Sequence, residues 1–203
     1  MKHHATRELY DYWNRLRGSR AAPERSEVEF AAIRYLIADM FMLEVDSAHR
    51  FPFVLSGTRI NALGCAEQKG RSFLDLWTES EQRALAAMLL TVTDASCPAL
   101  AHAVAVLEGW PEHNIEILLL PLGRPGHERA RVLGLISPSE APNWLGLRPA
   151  NITLTSLYPV ESDGAVRRFE VRGRFPSVEA RDADAPAKKP SHLKILDGGR
   201  RIP

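Results

Sequence analysis

The chain is poor in the residues that announce chemistry. Among its 203 residues there are only two cysteines, Cys65 and Cys97, both in apolar surroundings and not arranged as a Cys-x-x-Cys pair. That excludes a disulfide framework and predicts two buried, reduced thiols. No His-Glu-x-x-His run and no Cys/His cluster occurs, so neither a structural nor a catalytic metal is expected. No apolar run approaches the ~18 residues that span a bilayer. Residues 1–13 lack the apolar stretch of a secretory signal. An excess of one charge is missing too: 26 Lys and Arg stand against 25 Asp and Glu, leaving no global field to draw in nucleic acid. Arg15, Arg17, Arg20 and Arg25 cluster locally, but no aromatic residue interleaves them, so they read as a solvated linker. These absences predict a cytoplasmic protein with no membrane span and no nucleic-acid partner.

What is present is a chain that is 45% hydrophobic, enough to bury one sizeable core with extensions. Its most informative stretch runs from Arg50 to Trp77. It reads as a strand, a break at Gly57-Thr58, a short helix, a reset at Gly70 and a last turn ending on Trp77. Leu55, Ile60, Leu63, Phe73 and Leu76 recur there without a long element, a pattern that wraps a cavity or caps a curved sheet. Upstream, Thr6 is placed to cap a helix carrying Leu9, Trp13 and Leu16 on one stripe, with Gly18 as its stop. Ser26 and Glu29 read as a capping box for a second helix with Phe30, Ile33 and Ile37 on one face.

From Met40 the pattern turns extended. Two runs flank a polar link at Ser47-Ala48-His49, and Pro52 assigns the second of them to a sheet edge. Thr78 and Glu81 repeat the capping-box logic before the stripe of Leu85, Met88, Leu89 and Val92. Three strands follow, at Ala99–Glu108, Ile115–Leu120 and Arg131–Ile136, with turn-rich links that favour antiparallel pairing. Ala99, Ala101, Ala103 and Ala105 share one face of the first, which admits a close neighbour or leaves room beside the sheet. Beyond Pro138 the chain reads as a connector punctuated by Pro142, Gly146 and Pro149. Ile152–Val160 is one further extended candidate. Residues 176–190 have the composition of a disordered linker, and Leu193, Ile195 and Leu196 form a short apolar docking patch. The divisions are a helical extension at 1–39, a core at 40–139, and a connector with its docking motif at 140–203.

This α+β order over residues 40–139 resembles a PAS domain, a five-stranded antiparallel sheet flanked by short helices. Asn61, Leu63-Gly64, Glu67, Gly70, Phe73 and Leu76 carry the resemblance. More narrowly, the chain resembles single-PAS proteins of alphaproteobacteria, through residues 12–18, 118–122, 132–134 and the pair of segments at 192–193 and 197–200. The resemblance implies a sensor core able to hold haem, flavin or a small metabolite. Flavin adducts in such domains need a cysteine where this chain has Phe73, and haem needs a histidine on the long helix, where residues 79–95 have none. Both cofactors are therefore disfavoured, and none is expected.

For a colourless ligand, the candidate binding residues are Arg59, Asn61, Phe73, Trp77 and Trp110: Trp77 and Trp110 could stack on an aromatic group, and Arg59 or Asn61 could hydrogen-bond a polar one. Phe73 and Trp77 equally suit simple filling beneath the small helices. An enzyme would need a buried pair such as Asp39 or Asp75 with His102, yet no spacing makes them neighbours. The expectation is a non-catalytic signalling protein acting through a regulatory protein partner. A homodimer packed through Leu9, Trp13 and Leu16 is the working hypothesis, with packing of that stripe on the chain's own sheet as the other option. The resemblance implies roles in cell cycle, motility or stress. The alternative is a metabolite sensor with its ligand between the sheet and the Arg50–Trp77 segment.

Overall fold

A computed structural model describes residues 1–123 and 130–160. The expected linker at 176–190 and the docking patch at Leu193–Leu196 lie outside the described residues. One antiparallel sheet organises the rest. Its strands are β1 (Met40–Glu44), β2 (Phe53–Ser56), β3 (Ala99–Val106), β4 (His113–Leu122), β5 (Arg131–Pro138) and β6 (Asn151–Pro159), in the spatial order β2-β1-β5-β4-β3-β6. Five strands were expected; β6 adds a sixth, pairing along β3 from Ala99 opposite Pro159 to Val106 opposite Asn151. Pro52 and β2 stand at the sheet edge, as the missing proline N–H requires.

Both faces of the sheet are covered. Alternation puts Met40, Met42, Leu100, Leu118, Leu120, Leu133 and Leu135 on one face, against Leu9 and Trp13 of helix α1 (His4–Arg17). The other face carries Phe41 and the four alanines of β3. Helices α2 (Thr58–Leu63) and α3 (Glu79–Asp94) and the 3-10 turn Phe73–Leu76 cover it. Trp13 also donates its indole N–H to Pro121 O at 2.8 Å. The stripe considered for a subunit interface is thus spent within the chain. Leu9 is 0% and Trp13 1% exposed, and Leu16 is partly buried against the same core. An apolar stripe facing an apolar sheet buries locally whatever it could bury against a second copy, which takes the interface assignment away from these residues.

Other local readings shift for identifiable reasons. Helix α1 begins at His4, not at Thr6, which is buried within its first turn. The expected box at Ser26–Glu29 is replaced by one in which Glu27 serves the backbone N–H of Glu24, at 2.6 Å. The following segment, Phe30–Asp39, is a 3-10 helix that buries Ile33 and Leu36. The Thr78–Glu81 box forms as expected. Its carboxylate does a second job, accepting the Leu154 N–H of β6 at 2.6 Å. The connector after Pro138 is packed: Trp144 is 0% exposed, and Ala150 N–H donates to Leu63 O at 2.9 Å. Neither cysteine is fully buried as expected: Cys65, just past the Gly64 cap of α2 at a φ of 47°, is exposed, and Cys97 is half-buried.

Candidate functional site

The site expected between the sheet and the small helices is largely filled. Phe41 of β1 stacks on Phe73 at 5.3 Å between ring centroids, Phe53 meets both edge-on, and Trp77 closes the group at 5.9 Å from Phe73. Register explains how Phe41 enters. It lies opposite Gly134 of β5, and a Cβ at 134 would sit 2.0 Å from the Phe41 ring. The glycine is the space the phenylalanine occupies. Trp77, offered as a ligand-stacking residue, and Phe73, a further ligand-binding candidate, take the other option considered for them and fill the core, 5% and 0% exposed.

A small cleft remains at one end of this layer. It encloses about 30 Å³ and is lined by Asp39, Arg59, Ile60, Leu63, Ala105, Ile115, Ile136, Pro138, Pro142 and Leu145. That is room for a water molecule or two. Gly57 builds its polar end: a Cβ there would meet the Ile37 and Ala38 carbonyl oxygens at 2.3 Å, so only glycine lets α2 start this close. The contact brings the Arg59 guanidinium onto Asp39 Oδ2, whereas Asp39 Oδ1 is buried with no hydrogen-bond donor. Burial raises the Asp39 pKa, and the charge and hydrogen bond of Arg59 offset it only in part.

Of the predicted ligand residues, Arg59 lines this cleft and Asn61 does not. The Asn61 carboxamide is committed to its own loop, accepting from Ser56 Oγ at 2.8 Å and Gln68 N at 3.1 Å. Trp110 stands at the turn between β3 and β4, 40% exposed and not among the cleft residues.

A second polar constellation escaped the sequence reading. His102 pairs with neither Asp39 nor Asp75; it lies opposite Glu116 in the β3–β4 hairpin, its Nε2 at 3.1 Å from Glu116 Oε1. Its Nδ1 meets the Tyr158 hydroxyl at 2.6 Å and Ser156 Oγ at 3.0 Å, both on β6. Glu116, 0% exposed, also accepts the backbone N–H of Lys2 at 2.6 Å and of His3 at 2.9 Å. Burial alone would raise the Glu116 pKa, but the His3 and Lys2 backbone donors, together with the Thr6 hydroxyl and the charge of His3, hold it below the usual range. For His102, burial lowers the pKa and Glu116 counters incompletely. Hairpin symmetry was the available signal, since His102 and Glu116 are equidistant from Gly109. Among the described residues no group of three or more His, Cys, Asp or Glu could hold a metal, and no helix is long and apolar enough to cross a membrane.

Sheet order, small-helix layer and long helix define a sensor-type α+β domain. A family model for the PAS domain matches residues 1–137, and the chain belongs to that family. The match begins at residue 1, so it takes in α1 together with the core. No curated protein and no solved structure matches the chain. Membership places the protein among sensory and signalling domains, which are generally regulatory and not catalytic.

Proposed function

We propose that this PAS domain is a non-catalytic interaction module of a cytoplasmic signalling pathway, operating without a bound cofactor and acting through a regulatory protein partner. The observation that carries this reading is the filled interior, where Phe41, Phe53, Phe73 and Trp77 occupy the space beneath the small helices. Flavin and haem need several hundred Å³, against the roughly 30 Å³ that the cleft encloses. The motifs at residues 12–18, 118–122, 132–134, 192–193 and 197–200, above all the two terminal ones together, are the ground for grouping it with alphaproteobacterial single-PAS regulators of cell cycle, motility or stress. With α1 folded onto its own sheet, a homodimer would use other surfaces. Among the described residues Trp110, Tyr35 and Leu147 are the large apolar side chains left exposed, and tryptophan and tyrosine are residue types that anchor interfaces.

The second reading is a sensor whose small ligand uses the Asp39–Arg59 cleft; the unpartnered Asp39 Oδ1 is the observation that favours it. Native mass spectrometry of the purified full chain separates the two. Bare protein at the mass of the sequence is the expected result. A stoichiometric copurified small molecule, lost in Asp39→Asn, overturns the interaction reading in favour of the sensor.

A further inference from the structure

One side chain of the sheet gathers the backbone at the N-terminal end of α1, and the His3 ring adds a second tie. Glu116 Oε1 takes the Lys2 N–H and Oε2 takes the His3 N–H, while the His3 ring reaches Ser137 O at 2.8 Å. A carboxylate only accepts, so His102 must donate to it through Nε2. His102 Nδ1 is then left as an acceptor for the Tyr158 and Ser156 hydroxyls. This chain of groups couples the charge state of β3, β4 and β6 to whether the first residues stay in place. We propose that Glu116, His102 and Tyr158 form a proton-sensitive latch that keeps the N-terminal segment and α1 on the sheet at neutral pH and releases them on acidification.

The sign follows from what surrounds each group. Facing His102 are Glu116 from β4, Ser156 and Tyr158 from β6, and the Lys2 ammonium and α-amino group from the N-terminal segment. Burial and the two cations oppose a proton on the docked imidazole, and Glu116 alone favours it. Facing Glu116 are His102 from β3 and, from the N-terminal segment and α1, the Lys2 and His3 backbone donors, the His3 ring and the Thr6 hydroxyl. Against burial, the N-terminal groups keep it charged more readily when docked than when released. Both groups therefore bind a proton more easily in the released state, so docking is complete above the ordinary histidine range and weakens as pH falls below it. Release would expose apolar surface of Leu100, Leu118, Leu120 and Leu133, part of a cluster that Leu9 and Trp13 of α1 share with Val28, Ile33 and Leu36. The latch stands apart from the identity of any partner, because its test reads α1 directly.

That test is amide hydrogen exchange on the full chain, corrected for the intrinsic pH dependence of exchange, at about pH 7.5 and about pH 5. Residues 1–17 are expected to open about tenfold more often at the lower pH, while β4 and β5 keep their protection. His102→Gln should abolish the difference. Tyr158→Phe, which removes a donor to neutral Nδ1, should move the midpoint to higher pH. Equal protection of residues 1–17 at both pH values overturns the latch, as does an unchanged response in His102→Gln. Loss of protection spread equally over the central strands overturns it as well.

Discussion

Asp39 and Glu116 are both withdrawn from water, at 8% and 0% exposure, yet their pKa values move in opposite directions. Asp39 has one partner, Arg59, whose side chain is 47% exposed, and one oxygen with no donor at all. Glu116 has His102 and two backbone N–H groups shared between its oxygens. The number and rigidity of the donors decide which way burial is answered. Backbone amides already fixed by the fold stabilise a carboxylate at little entropic cost, whereas a long, solvated arginine loses freedom and is screened. One carboxylate is held as an anion by the fold; the other is tolerated beside a cleft.

Mutations should widen that contrast. Glu116→Ala leaves the Lys2 and His3 amides and the His102 ring without their common acceptor, and should cost about 3 kcal/mol in urea denaturation at neutral pH. Asp39→Asn should change stability by less than about 1 kcal/mol, because it removes a desolvated charge along with a half-exposed pair. The pH profile sharpens the distinction. Glu116, with its depressed pKa, contributes stability above the ordinary carboxylate value and loses it as pH falls through the folded one. Asp39, with its raised pKa, does the reverse: the fold gains from it as pH falls from the folded value toward the unfolded one. Urea midpoints across the acid range should therefore fall less steeply in Glu116→Gln than in wild type, and more steeply in Asp39→Asn. A shared slope for both variants would dissolve the comparison. Trp110→Ala, at an exposed turn remote from both carboxylates, should alter stability by no more than about 0.5 kcal/mol and serves as the control.

Much of the frame was legible in the sequence because it rests on local rules. The Thr78–Glu81 box, the Leu85, Leu89 and Val92 stripe, the edge position forced by Pro52 and the three late strands all depend on residues close in sequence. The failures share one cause. Ile152–Val160 was read as extended and is β6, but its place beside β3 was not, and Trp144 sits among prolines and glycines whose local pattern resembles a connector; only β3 and the helix layer give these residues somewhere to bury. Arg59 and Asn61 were not distinguishable in the sequence; only the fold puts Arg59 in the cleft lining and spends the Asn61 carboxamide on Ser56 and Gln68.

By itself the sequence determined the antiparallel order of the late strands, the edge place of Pro52 and the Thr78–Glu81 cap, and it carried the resemblance that the PAS family model bears out. These follow from spacing, turn residues and side-chain identity, which are properties of neighbours along the chain. Only the tertiary structure decided that α1 lies on its own sheet, that Phe41 fills the gap left by Gly134, and that Glu116 gathers the N-terminal amides and His102. Each of these joins residues far apart in sequence. The fate of a buried charge or an apolar stripe is set by whichever surface reaches it first, and that partner is not written beside it.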